Sequence, residues 1–376
     1  MKRICYFVNW AQYRKGNGKH TYTEIDPELC SHVIIAFVAM TEDSHQLKAT
    51  EWNDEDTETT VGVYSHVTDL KIKHPALKVM LAIGGWNFGT EKMSAMLATK
   101  STRTVFVNDV VRFLRTRNFD GFDLDFEYPA RRGSPPEDKG RFALLCKELR
   151  EKFEEEAEQT SKPRLLLSAA VGCGKSTMDA AYDVPELAKY LDWIGLMSYD
   201  MEYSSKGVTK HHSALFPRED EPAGDKKLCI EWVVNYWMTK GAPAEKLVVG
   251  MAFYGKSFTL RSAAKHSVGD PKSGPGLQGP ITITAGFMAY FEVCAGLKDG
   301  WTRSWIDTQK VPYAYNNTQW IGYDDAESMK EKAIWAASKG LGGWMVWDLA
   351  MDDFGAHYCG LGKYPLLHAL NDNTPR

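Results

Sequence analysis

The sequence contains no stretch approaching the ~18 consecutive apolar residues that a membrane-spanning helix needs, so a transmembrane anchor is not expected. Charge of one sign is not in excess either. Lys and Arg number 45 against 49 Asp and Glu, and the resulting net charge of −4 gives no basic field for nucleic acid. Cysteine is scarce: seven residues with no C-x-x-C pair exclude a disulfide-dense scaffold and a zinc ribbon. An odd number leaves at least one thiol without an internal partner. Internal repeats, low-complexity tracts and a second composition regime are lacking, so solenoid and disordered classes are set aside. Met1-Lys2-Arg3-Ile4 runs directly into a strand-like segment with no secretory leader, which leaves a cytosolic protein or one whose leader has been removed.

What is present is aromatic. Twelve Trp and 17 Tyr exceed what a core requires, and flat rings at a surface suit sugars or bases. Eight short apolar runs, at 3–10, 31–38, 78–85, 119–126, 164–171, 193–199, 246–254 and 341–348, are nearly continuous rather than alternating. Strands buried on both faces of a parallel sheet read this way. Amphipathic stretches at 57–73, 101–117, 140–159, 226–240 and 324–339 lie between runs, the last stopped by Lys339-Gly340. Eight strands alternating with helices predict an α/β protein, a (β/α)8 barrel. The gap after the seventh run is too long for a loop and carries Gly/Pro punctuation (KSGPGLQGP) before further strand-like pieces. The expected organisation is a barrel of residues 1–254 and 323–372 with a small α+β lobe, 255–322, inserted before the eighth strand.

Barrel enzymes carry their chemistry at the C-terminal ends of the strands. Those ends hold Asn9-Trp10, Phe37, Gly84-Gly85-Trp86-Asn87, Asp123 to Glu127, Met197-Ser198-Tyr199-Asp200, Phe253-Tyr254 and Trp347-Asp348, a set rich in rings and carboxylates. In Asp120-Gly121-Phe122-Asp123-Leu124-Asp125-Phe126-Glu127-Tyr128 the alternation puts Asp123, Asp125 and Glu127 on one face, with Cα atoms about 6.6 Å apart. Phe122, Leu124 and Phe126 then face the apolar layer beneath the helices. A calcium site would favour a flexible loop with Asn, Gly and carbonyl ligands rather than a rigid alternating strand. Three carboxylates aimed into a barrel cannot all ionise cheaply, and a raised proton affinity is what acid–base catalysis uses.

The segment DGFDLDFEYP resembles the D-x-x-D-x-D-x-E signature of glycoside hydrolase family 18, the chitinases and chitinase-like lectins. CYFVNWAQYR at 5–14, HVIIAF at 32–37, LAIGGWNFGT at 81–90, LMSYD at 196–200, MAFYGKSFTL at 251–260, VPYAYNNTQWIGYDD at 311–325 and GGWMVWDLAMDDF at 342–354 are similar to the family's blocks, in the family's order. The resemblance, to the animal-type chitinases, spans essentially the whole chain. It implies retaining hydrolysis of β-1,4-linked N-acetylglucosamine polymers, in which the substrate's own acetamide attacks the anomeric carbon. On that resemblance Glu127 is the acid and base, Asp125 orients the acetamide, Asp123 shares a proton or hydrogen bond with Asp125, and Tyr199 donates to the acetamide oxygen. Trp347 is the implied floor under the cleaved sugar, with Trp10 and Trp86 stacking to either side. Phe37, Gly85, Asn87, Tyr128, Met197, Asp200 and Tyr254 complete the implied cleft. No cofactor and no metal are implied; the partner is chitin or a chitooligosaccharide, and the oligomeric state is a monomer.

Several positions depart from the family pattern. Phe126 stands where Trp is usual, Lys256 where Arg is usual, Ala82 where Ser is usual, and Ser205 where a stacking Trp is usual, with Tyr203 nearby as a substitute. The resemblance pairs Cys5 with Cys30 and Cys294 with Cys359, which favours secretion and a removed leader; Cys146, Cys173 and Cys229 are expected as buried thiols. Asp120 is expected to be structural, and Asn316-Asn317-Thr318 is a single glycosylation sequon, open to being a chance match. Val171 to Ser176 imitates a phosphate-binding loop, but its first glycine position is Ala169. His211-His212 has no third ligand at metal spacing and is expected at a solvated or cleft-edge position. A lectin that binds without cutting, and an endo-N-acetylglucosaminidase acting on N-glycans, are the competing functions. The retained carboxylates weigh against the first, the inserted lobe against the second.

Overall fold

A computed structural model describes residues 1–201 and 207–375. Eight parallel strands, β1 (Lys2–Val8), β2 (His32–Met40), β3 (Lys78–Gly84), β4 (Gly121–Asp125), β5 (Leu166–Gly172), β6 (Trp193–Met197), β7 (Leu247–Ala252) and β8 (Gly343–Trp347), pair in chain order. β8 returns to pair with β1, and β1 with β2, so the sheet closes into a (β/α)8 barrel with no free edge.

The near-continuous apolar runs have a direct explanation in this closure. Ile4, Tyr6 and Val8 point inward with Ile34, Ala36, Met80, Ala82, Val248 and Met345, forming the barrel's own core. Cys5, Phe7, Val33, Ile35, Phe122, Leu124 and Phe126 point outward into the layer shared with the helices. Both faces are buried, so alternation of polarity is lost while alternation of destination remains.

The helices follow the amphipathic stretches at Lys100–Thr116, Asp138–Thr160, Ile230–Thr239 and Ala326–Ser338. The stretch at 57–73 differs: helix starts only at Val63 and is split into Val63–Thr68 and Leu70–Lys73. The Thr57 Oγ1 takes the Thr60 amide (3.0 Å), and the Asp56 carboxylate takes the Gly62 amide (2.7 Å). Those local bonds compete with helix for the same backbone.

After β7 the chain builds, among the described residues, a six-stranded antiparallel sheet from Tyr254–Leu260, Lys272–Pro275, Phe287–Ala289, Thr302–Ile306, Val311–Asn316 and Gln319–Gly322, with a helix at Tyr290–Lys298. Phe258, Tyr313 and Trp320 stack in a separate small core there. Two disulfides are formed: Cys5–Cys30 ties β1 to the segment before β2, and Cys294–Cys359 ties the lobe's helix to the chain beyond β8. Cys146, Cys173 and Cys229 are buried free thiols. Among the described residues no helix is long and apolar enough to cross a membrane.

Candidate active site

The C-terminal ends of the strands open into a cleft of about 620 Å³. It is lined by Tyr6, Phe37, Gly85, Trp86, Asp125, Glu127, Tyr128, Met197, Tyr199, Asp200, Tyr254 and Trp347 among others. Smaller hollows continue it past Trp10 and Trp347 on one flank and past Trp10, Asn87 and Trp86 on another. Nearly every residue expected from the sequence therefore lines one continuous depression; Asp123 lies beneath it, fully buried.

β4 delivers the carboxylates. Its regular pairing ends at Asp125, so Asp123 and Asp125 stand on the strand and Glu127 just past its end. Asp123 accepts hydrogen bonds from Tyr6 Oη (2.7 Å) and Ser168 Oγ (2.6 Å). Register explains the second contact, because Ala82 and Ser168 flank Asp123 on β3 and β5. Burial pushes the Asp123 carboxyl up, and the two hydroxyls partly offset it.

Asp125 is in a harsher setting. Its Oδ1 is buried without a hydrogen-bond partner among the described residues. Burial first, then the charges of Glu127 and Asp123, drive its pKa well above the ordinary carboxylate value. Glu127 is half-buried and also raised by burial, while the Tyr128 phenol and the Arg132 charge pull the other way. Tyr199 is held protonated by burial and by the neighbouring Asp125, Asp200 and Glu127. Two adjacent carboxyls whose hold on a proton is strengthened, beside a protonated phenol, form a centre suited to acid–base chemistry.

The rings supply a floor. Trp347 packs against Tyr6 (5.4 Å), Phe37 (5.8 Å, 28°) and Trp10 (6.3 Å), and Trp10 stacks on Phe37 (6.0 Å, 20°). Trp10 is 38% and Trp86 58% exposed, far from the full burial of a core tryptophan such as Trp193 or Trp344. Close approach requires glycine beneath them: a Cβ on Gly84 would sit 1.9 Å from the Asp125 carbonyl oxygen, and one on Gly85 2.5 Å from the Phe37 ring.

On the far wall, Tyr254 Oη donates to Asp200 Oδ1 (2.6 Å), which also faces Lys256 Nζ (3.2 Å). Burial would raise the Asp200 carboxyl, but His212, Lys256 and Tyr254 together hold it below its usual range. His211 and His212 are not solvated: both are fully buried. His212 contacts the Asp200 amide (3.3 Å) and the Tyr254 carbonyl (3.1 Å) at the cleft edge, and His211 binds the Pro312 and Tyr323 carbonyls behind it. Asp120 accepts from the Val79 amide and pairs with Lys71 at the opposite end of β4, a structural place. Tyr203 and Ser205 lie outside the described residues.

Sequence reasoning missed Tyr6, Ser168 and Arg132. For Tyr6 and Ser168 the available signal was parity, since each shares the inward face of its strand with the residues around Asp123. Arg132, whose guanidinium lies 3.4 Å from the Trp86 ring centre, gave no signal of its own.

The family model for glycosyl hydrolases family 18 matches residues 2–352. The chain is similar to chitotriosidase-1 of Mus musculus, 46% identical over all of this chain and 80% of that protein. Among solved structures it resembles an immunomodulatory active chitinase from Trichuris suis (TM-score 0.93, 40% identity, 99% of both chains). It is equally close in shape to human YKL-39, described as a pseudo-chitinase with retained chitooligosaccharide binding (TM-score 0.93, 38% identity, 99% of both chains).

Proposed function

From the chain's membership of glycosyl hydrolases family 18, to which it belongs, we propose that it is an endo-acting chitinase cleaving β-1,4-linked N-acetylglucosamine with retention. The observation that carries this reading is Asp125: a buried carboxyl with an unpartnered oxygen, proton-loving, next to Glu127 and aimed at a ring-floored cleft. An oxygen left unpaired at such cost awaits a donor from the ligand, and the N–H of a substrate acetamide is a fitting one.

In the proposed cycle the acetamide carbonyl oxygen attacks the anomeric carbon while the glycosidic C–O bond breaks. Glu127 passes its proton to the leaving oxygen. Asp125 orients the acetamide N–H and balances the positive charge of the oxazolinium ion, drawing on Asp123 through the shared proton or hydrogen bond. Tyr199 donates to the acetamide oxygen. Water then attacks the same carbon and displaces the acetamide oxygen, Glu127 takes the water's proton, and the product leaves as the β-anomer with its acetamide restored.

Trp347 floors the cleaved sugar, with Phe37, Trp10 and Asn87 on one side and Gly85, Trp86 and Tyr128 close to the acid. Met197, Asp200 and Tyr254 shape the acetamide pocket. Residues 255–322 act as an inserted lobe that walls the cleft beside the barrel of 1–254 and 323–372. The two disulfides support secretion, and the protein works as a monomer without metal or cofactor.

A binding protein without turnover is the second reading, favoured by the likeness to YKL-39. Chitin hexasaccharide, incubated with wild type and Glu127→Gln while product anomers are followed by NMR, separates the two. Fresh β-anomer from the wild type only, with binding of the variant kept within a few fold, is the expected result. Binding without cleavage by the wild type selects the lectin, and undiminished cleavage by Glu127→Gln removes the acid assignment.

A further inference from the structure

We propose that Arg132 is a positioning residue that clamps the Trp86 ring as a sugar platform and ties it to the strand end carrying Glu127. The inference rests on the carbohydrate reading of the cleft above.

The guanidinium carbon lies 3.4 Å from the Trp86 ring centre, in face-on contact. Its Nη1 donates to the Glu127 carbonyl oxygen (2.8 Å) and its Nη2 to the Trp86 carbonyl oxygen (3.2 Å). One planar fork therefore touches three things: the ring, the backbone that carries the ring, and the backbone that carries the acid. Lys could not match this, because an ammonium is a point charge without the planar geometry.

Trp86 lines the cleft and is 58% exposed, whereas Arg132 is not among the described residues that line it. The guanidinium covers one face of the ring, while Trp86 keeps enough open surface to line the cleft. An indole held on one side only by solvent would sample several rotamers, and a sugar stacking on it would have to order it first. The arginine orders it in advance, and its charge deepens the ring's hold on it.

The segment that presents Arg132 is built for the purpose. Ala130 (φ +58°), Arg132 (φ +51°) and Gly133 (φ +92°) lie in the left-handed region, two of them at a steric cost to L-residues. The turn is pinned by the Ala130 amide on Ser134 Oγ (2.9 Å), by Ser134 Oγ on Asp138 (2.7 Å), and by Thr90 Oγ1 on the Arg132 carbonyl (2.9 Å). Among the charged and titratable groups facing Glu127 are Asp125, Tyr128, Tyr182, Tyr199, Asp200 and Arg132. Arg132 is the cation in that set, so its loss also removes a charge that favours the ionised acid.

The test uses chitin hexasaccharide with wild type, Arg132→Gln and Arg132→Lys, each first checked for an unchanged thermal unfolding midpoint. Arg132→Gln is expected to raise KM roughly five-fold or more, the scale of one cation–π interaction, with a smaller fall in kcat. Its alkaline limb of kcat/KM moves to higher pH, because Glu127 holds its proton more tightly without the neighbouring cation. Arg132→Lys keeps the limb near wild type while KM stays raised. KM and limb within two-fold and a few tenths of a pH unit of wild type for Arg132→Gln overturn the inference. If wild type binds without cutting, the chitinase reading fails separately, and calorimetric affinity for the hexasaccharide decides: weaker binding by Arg132→Gln supports the clamp, equal binding overturns it. Should Arg132→Gln fail to fold, Arg132→Lys decides by the same affinities, weaker binding again supporting the clamp and equal binding overturning it.

Discussion

At the scale of single residues the chemistry depends on how each carboxyl is stabilised, and Asp123 is the clearest case. Burial raises its proton affinity and the hydroxyls of Ser168 and Tyr6 lower it. Tyr6→Phe removes one hydroxyl and keeps the ring, which also supports Trp347. The Asp123 carboxyl then shifts further up, and the acid limb of the pH–rate profile moves to higher pH. A hydrogen bond to a carboxylate contributes about 1.5–3 kcal/mol, so kcat/KM at the optimum is expected to fall by roughly ten- to a hundred-fold. A profile superimposable on wild type would show that Ser168 alone holds Asp123. The three carboxylates were legible in the sequence, since parity along a strand puts them on one face. Their partners were not, because Ser168 reaches Asp123 through the pairing register of β5 beside β4, and Tyr6 through the closure that turns the inner face of β1 toward β4.

At the scale of elements, the passage from β3 into the Gly84-Gly85-Trp86-Asn87 turn is the tightest joint. Gly84 pairs with Asp125 in register, and the Gly85 amide donates to the Asp125 carbonyl (2.9 Å). Gly84 has φ +115°, and a Cβ there would meet that carbonyl oxygen at 1.9 Å. Gly84→Ala must therefore displace the backbone that carries Asp125. The expected cost is about 2 kcal/mol or more, seen as a lowered melting temperature in a thermal scan together with weakened activity. An unchanged melting temperature would mean that the joint relaxes freely. The same scale shows where periodicity misleads. The stretch at 57–73 has helical spacing throughout, yet the Thr57 and Asp56 side chains capture the backbone before Val63. Side-chain competition of this kind is local, but its outcome depends on where the chain must enter the next element.

For the whole molecule, closing the barrel buries charges that the mechanism does not use. Asp352, beyond β8, is fully buried and accepts the amides of Leu366, Leu367 and Asp353. Burial, with the Asp353 charge adding to it and these amides opposing it, lifts its pKa from 3.8 to about 7. The folded value lies above the unfolded one, so the folded state binds this proton more tightly. The associated stability is complete below about pH 4 and is lost as pH rises through about 7. Asp352→Asn has no proton to lose. Urea midpoints measured at pH 4, 5.5 and 7.5 are therefore expected to show the wild type losing ground to the variant as pH rises. Parallel profiles would mean that Asp352 stays ionised in the folded protein.

The order of eight apolar runs, the single face of Asp123, Asp125 and Glu127, and the rings at the strand ends were determined by the sequence, because each rests on a period of two or on local composition. The tertiary structure decided which distant groups meet them. The Tyr6 and Ser168 hydroxyls reach Asp123, Lys256 and His212 hold Asp200, and Arg132 settles against Trp86. Such contacts depend on strand register and on turns with positive φ, quantities that no local pattern of residue types encodes. The physical reason is that burial and hydrogen-bond pairing belong to the closed barrel as a whole, whereas periodicity belongs to one element at a time.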